Sequence, residues 1–159
     1  MKVTEGKKIY FASDNHLGIP DSRSSLIREK KFVKWLDTIK VDAHSIYLLG
    51  DLFDFWFEYK TVVSKGFTRV LGKIAEIADS GIPIYFFVGN HDMWVRDYFQ
   101  LELGVKVITE PQQFKINEKS FFIGHGDGLG PGDTYYKLMK KFITGNRFFK
   151  WCFRWVHPD

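Results

Sequence analysis

Three observations predict an α/β fold built on a parallel sheet. Short apolar runs alternate with longer amphipathic segments in the order strand, helix, strand, helix, strand, which implies parallel crossovers. Four short segments rich in Asp, Asn and His each follow directly on a β-like apolar run. Their position is the third observation, because ligands of such sheets collect outside the carboxyl ends of the strands.

The elements follow in order. Lys8–Ser13 is a short apolar strand. Ser22–Ile39 is predicted as a helix, since Leu26, Ile27, Phe32, Val33, Trp35, Leu36 and Ile39 recur near helical spacing with charges between them, and Ser22 or Ser24 is the expected N-cap. Ser45–Leu49 is a strand expected to be buried on both faces, given its unbroken Ile46-Tyr47-Leu48-Leu49 run. Lys65–Ser80 is a second amphipathic helix, ended by Gly81 at C′ and by Pro83 soon after. Ile82–Val88 is a third continuous strand. Phe114–Asn117 and Lys119–Ile123 form a hairpin about Asn117-Glu118. His44 reads as a surface residue in the loop before the second strand.

Composition bounds the class. With 159 residues, 45% of them apolar and 18% aromatic, the chain is one globular domain able to bury a core. The single cysteine, Cys152, excludes an internal disulfide and a Cys-built zinc site, and fits a reducing compartment. The N-terminal octapeptide lacks the apolar core of a secretory signal, and no run reaches the roughly 18 apolar residues of a membrane span. The net charge of +4 is unevenly placed. Between Asp133 and Asp159 there is no acidic residue, while Lys137, Lys140, Lys141, Arg147, Lys150 and Arg154 alternate with Phe142, Phe148, Phe149, Trp151, Phe153 and Trp155. That mixture suits a membrane interface, a nucleic acid or an anionic amphiphile, and equally a core-packing helix with solvated lysines.

The four polar segments are Asp14-Asn15-His16, Gly50-Asp51-Leu52-Phe53-Asp54, Gly89-Asn90-His91-Asp92 and Gly124-His125-Gly126-Asp127. Carboxylate, amide oxygen and imidazole together suit divalent cations of intermediate hardness. Asp14 and His16 are two apart, so an extended segment would point both to one side, towards one ion. Asn90 and His125 offer an oxygen and a nitrogen to a second ion, and Asp51 is the natural bridge between the two. Such a pair of ions forms a clamp for in-line attack of water at phosphorus. Taken singly, an Asp at a strand end is more often a cap or turn residue; four segments in order outweigh that reading. Asp54 and Asp92 are expected to orient the ligands or cap helices.

With these residues the chain resembles the calcineurin-like metallophosphoesterases, whose signature runs D-x-H, G-D-x-x-D, G-N-H-D/E, G-H and a final G-H-x-H. The resemblance implies a four-layer α/β/β/α sandwich, and two divalent metal ions, most often manganese, on Asp14, His16, Asp51, Asn90 and His125. Ser13–Gly18, Leu49–Asp54 and Gly124–Asp127 are most similar to the lipid A branch of the family, which cleaves the pyrophosphate of a UDP-linked diacylated sugar to lipid X and UMP. That likeness implies an amphiphilic UDP-sugar lipid as substrate, contacted by Asn90, His91 and Asp133. It also implies a cytoplasmic protein, peripheral at the inner membrane face, with no nucleic-acid partner. His91 would protonate the leaving oxygen or bind a substrate phosphate.

Two departures stand beside the resemblance. The final G-H-x-H is absent, so residues 1–159 are expected to be the N-terminal portion of the phosphoesterase domain, with 133–157 a basic, aromatic, lid-like segment and weak activity in this portion alone. His91 stands where the lipid A branch carries Arg and the wider family His, which favours the general phosphoesterase reading. The alternatives are thus a phosphoesterase for a nucleotide, nucleic acid or phosphoprotein, and a non-catalytic scaffold of the same fold.

Overall fold

The computed structural model describes residues 1–128 together with Gly130 and Trp155. The first half alternates as the pattern requires: β1 (Lys8–Ala12), α1 (Ser22–Ile39), β2 (Ala43–Leu48), α2 (Thr68–Asp79) and β3 (Ile84–Phe87). A one-turn helix α3 (Tyr98–Leu101) and a three-residue strand β4 (Lys106–Ile108) follow, then β5 (Gln112–Ile116) and β6 (Lys119–Ile123). β1 to β4 pair in that order, all parallel, while β5 and β6 form a separate antiparallel pair.

Period-2 alternation sorts the side chains of the parallel sheet into two cores. Ile46 and Leu48 of β2 and Ile84 and Phe86 of β3 point to one face, where they meet Phe32, Leu36 and Ile39 of α1 and Ile74 and Ile77 of α2. Tyr47 and Phe87 point to the other, where Ile108, Ile116 and Ile123 complete a smaller core against the β5–β6 hairpin. Helices, parallel sheet and hairpin are therefore three layers of the expected sandwich. Tyr47 centres the second core through stacking on Tyr85 (4.6 Å) and an edge contact with Phe114 (5.5 Å).

α1 buries Ser25, Glu29, Phe32, Leu36 and Ile39, a spacing of four and three that keeps one stripe inward. Its N-cap is Asp21, not Ser22 or Ser24: the Asp21 carboxylate accepts from Ser24 N–H at 2.9 Å and from the Ser24 hydroxyl at 2.8 Å. A carboxylate at that position answers the helix's exposed N–H groups with full charge, and Ser24 becomes its donor. α2 starts three residues later than its periodicity suggests and has no cap of its own. Glu29 supplies one from α1, its Oε1 accepting from Arg69 N–H (3.0 Å) and Val70 N–H (3.1 Å) while only 1% exposed. Gly81, at φ +87°, follows α2 as expected. The hairpin turn has positive φ at both Asn117 (45°) and Glu118 (68°), the twist that matches paired strands. His44 lies within β2 rather than in the loop before it. Among the described residues no helix is long and apolar enough to cross a membrane.

Candidate metal centre

β1, β2 and β3 end side by side, and the chain leaving each turns sharply into a polar segment. Five described non-glycine residues have positive φ; two form the hairpin turn, and the other three are Asp14 (55°), His16 (42°) and Asp51 (54°). Each such conformation costs about 1–3 kcal/mol and persists only where neighbours enforce it. The enforcing bonds run between segments: Asp14 N–H to Gly50 O (3.2 Å), His16 N–H to Asp51 O (3.0 Å) and Leu17 N–H to Leu52 O (3.0 Å). Asp14 and His16 do converge, with His16 Nε2 4.0 Å from Asp14 Oδ1. They do so through left-handed backbone and not through strand alternation, which corrects the extended geometry expected from their spacing.

Asp51 lies at the centre and is 3% exposed. Its Oδ1 accepts from His91 N–H at 3.0 Å, which leaves Oδ2 facing His125 Nε2 at 3.3 Å and His16 Nε2 at 3.9 Å. Burial pushes the Asp51 carboxyl up, yet His125 and the His91 N–H outweigh it and hold the pKa below the ordinary value. His125 is oriented from behind. A carbonyl oxygen only accepts, so His125 Nδ1 carries a hydrogen and donates it to Leu49 O at 2.7 Å. Its Nε2 then points at two further oxygens, Asp51 Oδ2 and Asn90 Oδ1 (3.1 Å). Lone pairs converging this way require a positive species among them. In the protein without metal a second proton serves, and the Asp51 contact, against the cost of burial, raises His125 to about 9.

Glycine is obligatory where the loops cross. A Cβ on Gly89 would stand 2.2 Å from Asp51 Oδ1, and one on Gly50 2.8 Å from both Gly89 Cα and His125 Nδ1. Gly50 also has φ +90°. Asp92, fully buried, ties the same loops together by accepting from Gly89 N–H (2.7 Å) and Leu52 N–H (3.0 Å). Burial raises its carboxyl to about 6 despite those bonds. Asp54 Oδ1 lies 3.3 Å from His16 Nδ1 and 3.4 Å from His91 Nδ1, and the Asp54 carbonyl accepts from His91 Nδ1 at 2.8 Å. The His91 side chain remains 39% exposed, with Nε2 free of these bonds.

The structure thus brings Asp14, His16, Asp51, Asn90, His91 and His125 to one place, with Asp54 and Asp92 behind them. Among the described residues two groups of carboxylate and imidazole side chains are compact enough to hold a metal ion: Asp14, His16 and Asp51, and His16, Asp54 and His91. Asp133 and the lid-like segment 133–157, apart from Trp155, lie outside the described residues; Trp155 is exposed. Sequence reasoning did not single out Glu58, Ser25 or Arg28. Glu58, 2% exposed, accepts from Trp56 Nε1, Asp97 N–H and Tyr98 N–H and so fixes α3 beside the His91 loop. A lone acid inside the aromatic run Phe55–Tyr59 was its signal. Ser25 Oγ accepts from Gly18 N–H (2.8 Å) and Arg28 donates to His16 O (2.7 Å), the first from the inward stripe of α1 and the second from its half-buried flank.

The family profile described as Calcineurin-like phosphoesterase matches residues 7–152. A UDP-2,3-diacylglucosamine hydrolase of Porphyromonas gingivalis is 47% identical over 90% of this chain and 53% of its own length. Proteins of the same name from Histophilus somni and Actinobacillus succinogenes are 31% and 30% identical, each over 92% of this chain and 60% of its own. The chain therefore spans between half and two thirds of the length of these relatives.

Proposed function

The chain belongs to the calcineurin-like phosphoesterase family, and from that premise we propose that the complete protein is a binuclear-metal phosphohydrolase cleaving the pyrophosphate of UDP-2,3-diacylglucosamine in lipid A biosynthesis. The observation that carries the reading is Asp51 Oδ2, which faces the Nε2 atoms of His16 and His125 from one buried carboxylate. Asp14, His16 and Asp51 would hold one divalent cation, and Asp51, Asn90 and His125 a second, with manganese the proposed occupant. The donors fit such ions, because a proton between His125, Asn90 and Asp51 already does what a cation would do there. When bound, the pair supplies Lewis-acid polarisation of a phosphoryl group and acidifies water enough for attack near neutral pH.

The chain's own residues supply the rest. Asn90 is neutral, which limits the negative charge of the ligand set and leaves room for an anionic phosphate. His91, with its Nδ1 hydrogen donated to the Asp54 carbonyl, presents Nε2, and in the doubly protonated form that nitrogen would protonate a leaving phosphate oxygen or donate to a substrate phosphate. Asp133 is proposed as an acidic substrate contact. Phe142, Phe148, Trp151 and Trp155 are proposed to cover the acyl chains, with Lys140, Lys141 and Arg147 towards phosphates and the inner membrane face. Support for the lipid substrate comes from the shared name of the relatives. The second reading, a phosphoesterase for a nucleotide or other phosphoester, is favoured by His91 in place of the lipid A branch's Arg.

The test incubates the complete protein with UDP-2,3-diacylglucosamine and, separately, with an aryl phosphodiester, each with and without Mn²⁺. Manganese-dependent release of UMP from the lipid is expected. Turnover of the diester and of nucleotides without the lipid would favour the second reading, and no turnover of any of them a scaffold.

A further inference from the structure

We infer that Arg28 is a positioning residue: from α1 it fixes the left-handed turn that carries His16, and thereby the cation affinity of the Asp14–His16–Asp51 half of the site. The inference rests on the metal-centre reading proposed above. His16 sits at φ 42°, and its N–H is engaged with Asp51 O. That bond holds the turn on its sheet side only. The backbone groups of Leu17 bond to Leu52 and Asp54 on that same sheet side, while His16 O, Gly18 N–H and Ile19 O are taken by one face of α1. Arg28 Nη2 donates to His16 O at 2.7 Å and also to Ile19 O, while Ser25 Oγ accepts from Gly18 N–H at 2.8 Å. Ser25 and Arg28 are three apart, so one helix surface grips both ends of the turn.

The chemistry of Arg28 is unusual for a surface cation. Its hydrogen-bond acceptors are two peptide carbonyls, the Asp21 carboxylate feels its charge without a direct ion pair, and its Nε is buried without a hydrogen-bond partner. One terminal nitrogen, Nη2, serves both carbonyls, its two hydrogens held in the guanidinium plane, whereas a lysine ammonium rotates freely at the end of its stem. The consequence falls on His16. Its Nε2 already stands 3.9 Å from Asp51 Oδ2 and 4.0 Å from Asp14 Oδ1, and metal–ligand distances tolerate deviations of only about 0.2 Å. A turn released on its helix side moves the imbalance to this half of the site and leaves His125, anchored by Leu49 O, where it is.

The test compares Arg28→Ala, Arg28→Lys and the exposed control Arg23→Ala in the complete protein, titrated with Co²⁺ by visible absorption. Loss of an oriented outer partner weakens metal binding about 10- to 100-fold, and that loss is expected in one cation-binding step only, with the other step and the control unchanged. Millimolar guanidinium ion should restore the weakened step in Arg28→Ala. Unaltered steps beside a lowered Tm, or equal loss in both steps, would overturn the inference. If Arg28→Ala does not fold, Arg28→Lys decides by the same criteria. In the metal-free protein, the ¹⁵N resonances of the His16 imidazole should move in Arg28→Lys while those of His125 stay; an unmoved His16 would overturn it. Absence of any Co²⁺ binding by the wild type would instead refute the metal-centre reading, with the resonances still reporting on Arg28.

Discussion

At the scale of the residue, the site is a set of lone pairs that need positive charge, and its behaviour without metal follows from that. His125 is raised to about 9 in the folded protein, against about 6.5 for a free imidazole. A raised folded value means that its contribution to stability is complete below the unfolded value and is lost as pH rises through the folded one. Metal-free protein should therefore lose stability between about pH 6.5 and 9 through this group, by roughly 1 kcal/mol once solvent screening is allowed for. Thermal melts across that window check it, and His125→Asn should flatten the slope. Metal binding should release protons near neutral pH for the same reason, as calorimetry in buffers of different ionisation enthalpy would show. Asp51→Ala should abolish binding at both cation positions, whereas Asn90→Ala should weaken one; metal analysis of the variants distinguishes these, and two ions retained in Asp51→Ala would contradict the shared role. Gly89→Ala places a methyl 2.2 Å from Asp51 Oδ1 and should displace that carboxylate, with loss of metal binding exceeding loss of fold. The residues that converge were legible in the sequence because each belongs to a short polar segment after an apolar run. The left-handed backbone that aims Asp14 and His16 was not, since positive φ at Asp and His leaves no mark that composition reveals.

At the scale of the element, long periodic segments were readable and short ones were not. α1, with eighteen residues, repeats its inward stripe often enough to be recognised. α3 has four residues and β4 three, too few for either period to show, and they exist through pairing of β4 with β3 and through Glu58 capping α3. Helix starts depended on partners distant in sequence. The first N–H groups of α2 find Glu29, forty residues earlier, and no local motif encodes that. Glu29→Ala should leave the buried Val70 N–H and the partly buried Arg69 N–H without an acceptor and destabilise the protein by about 1–3 kcal/mol. Chemical denaturation should show a lower midpoint at unchanged slope; a change below about 0.5 kcal/mol, the range of ordinary surface substitutions, would mean that water replaces the carboxylate. Glu29→Gln, which keeps an acceptor oxygen, should recover part of the loss.

At the scale of the whole molecule, three strand ends and one hairpin are arranged around a single carboxylate. The helical layer holds the Asp14–His16 turn, the parallel sheet carries Asp51 and Asn90, and the hairpin delivers His125 across to Leu49. Each layer contributes side chains to the cluster or holds them in place, so the folded sandwich and the site form together. The crossovers were legible from alternation alone, which is why the convergence of four distant segments was expected before any distance was known. The segment 133–157 remains a reading from composition and resemblance. The central claim is that two cations share Asp51, and electron paramagnetic resonance of the Mn²⁺-loaded complete protein tests it most directly. The expected result is the multiline spectrum of an exchange-coupled manganese pair, lost in Asp51→Ala. A spectrum of isolated, uncoupled Mn²⁺ at full loading would contradict it.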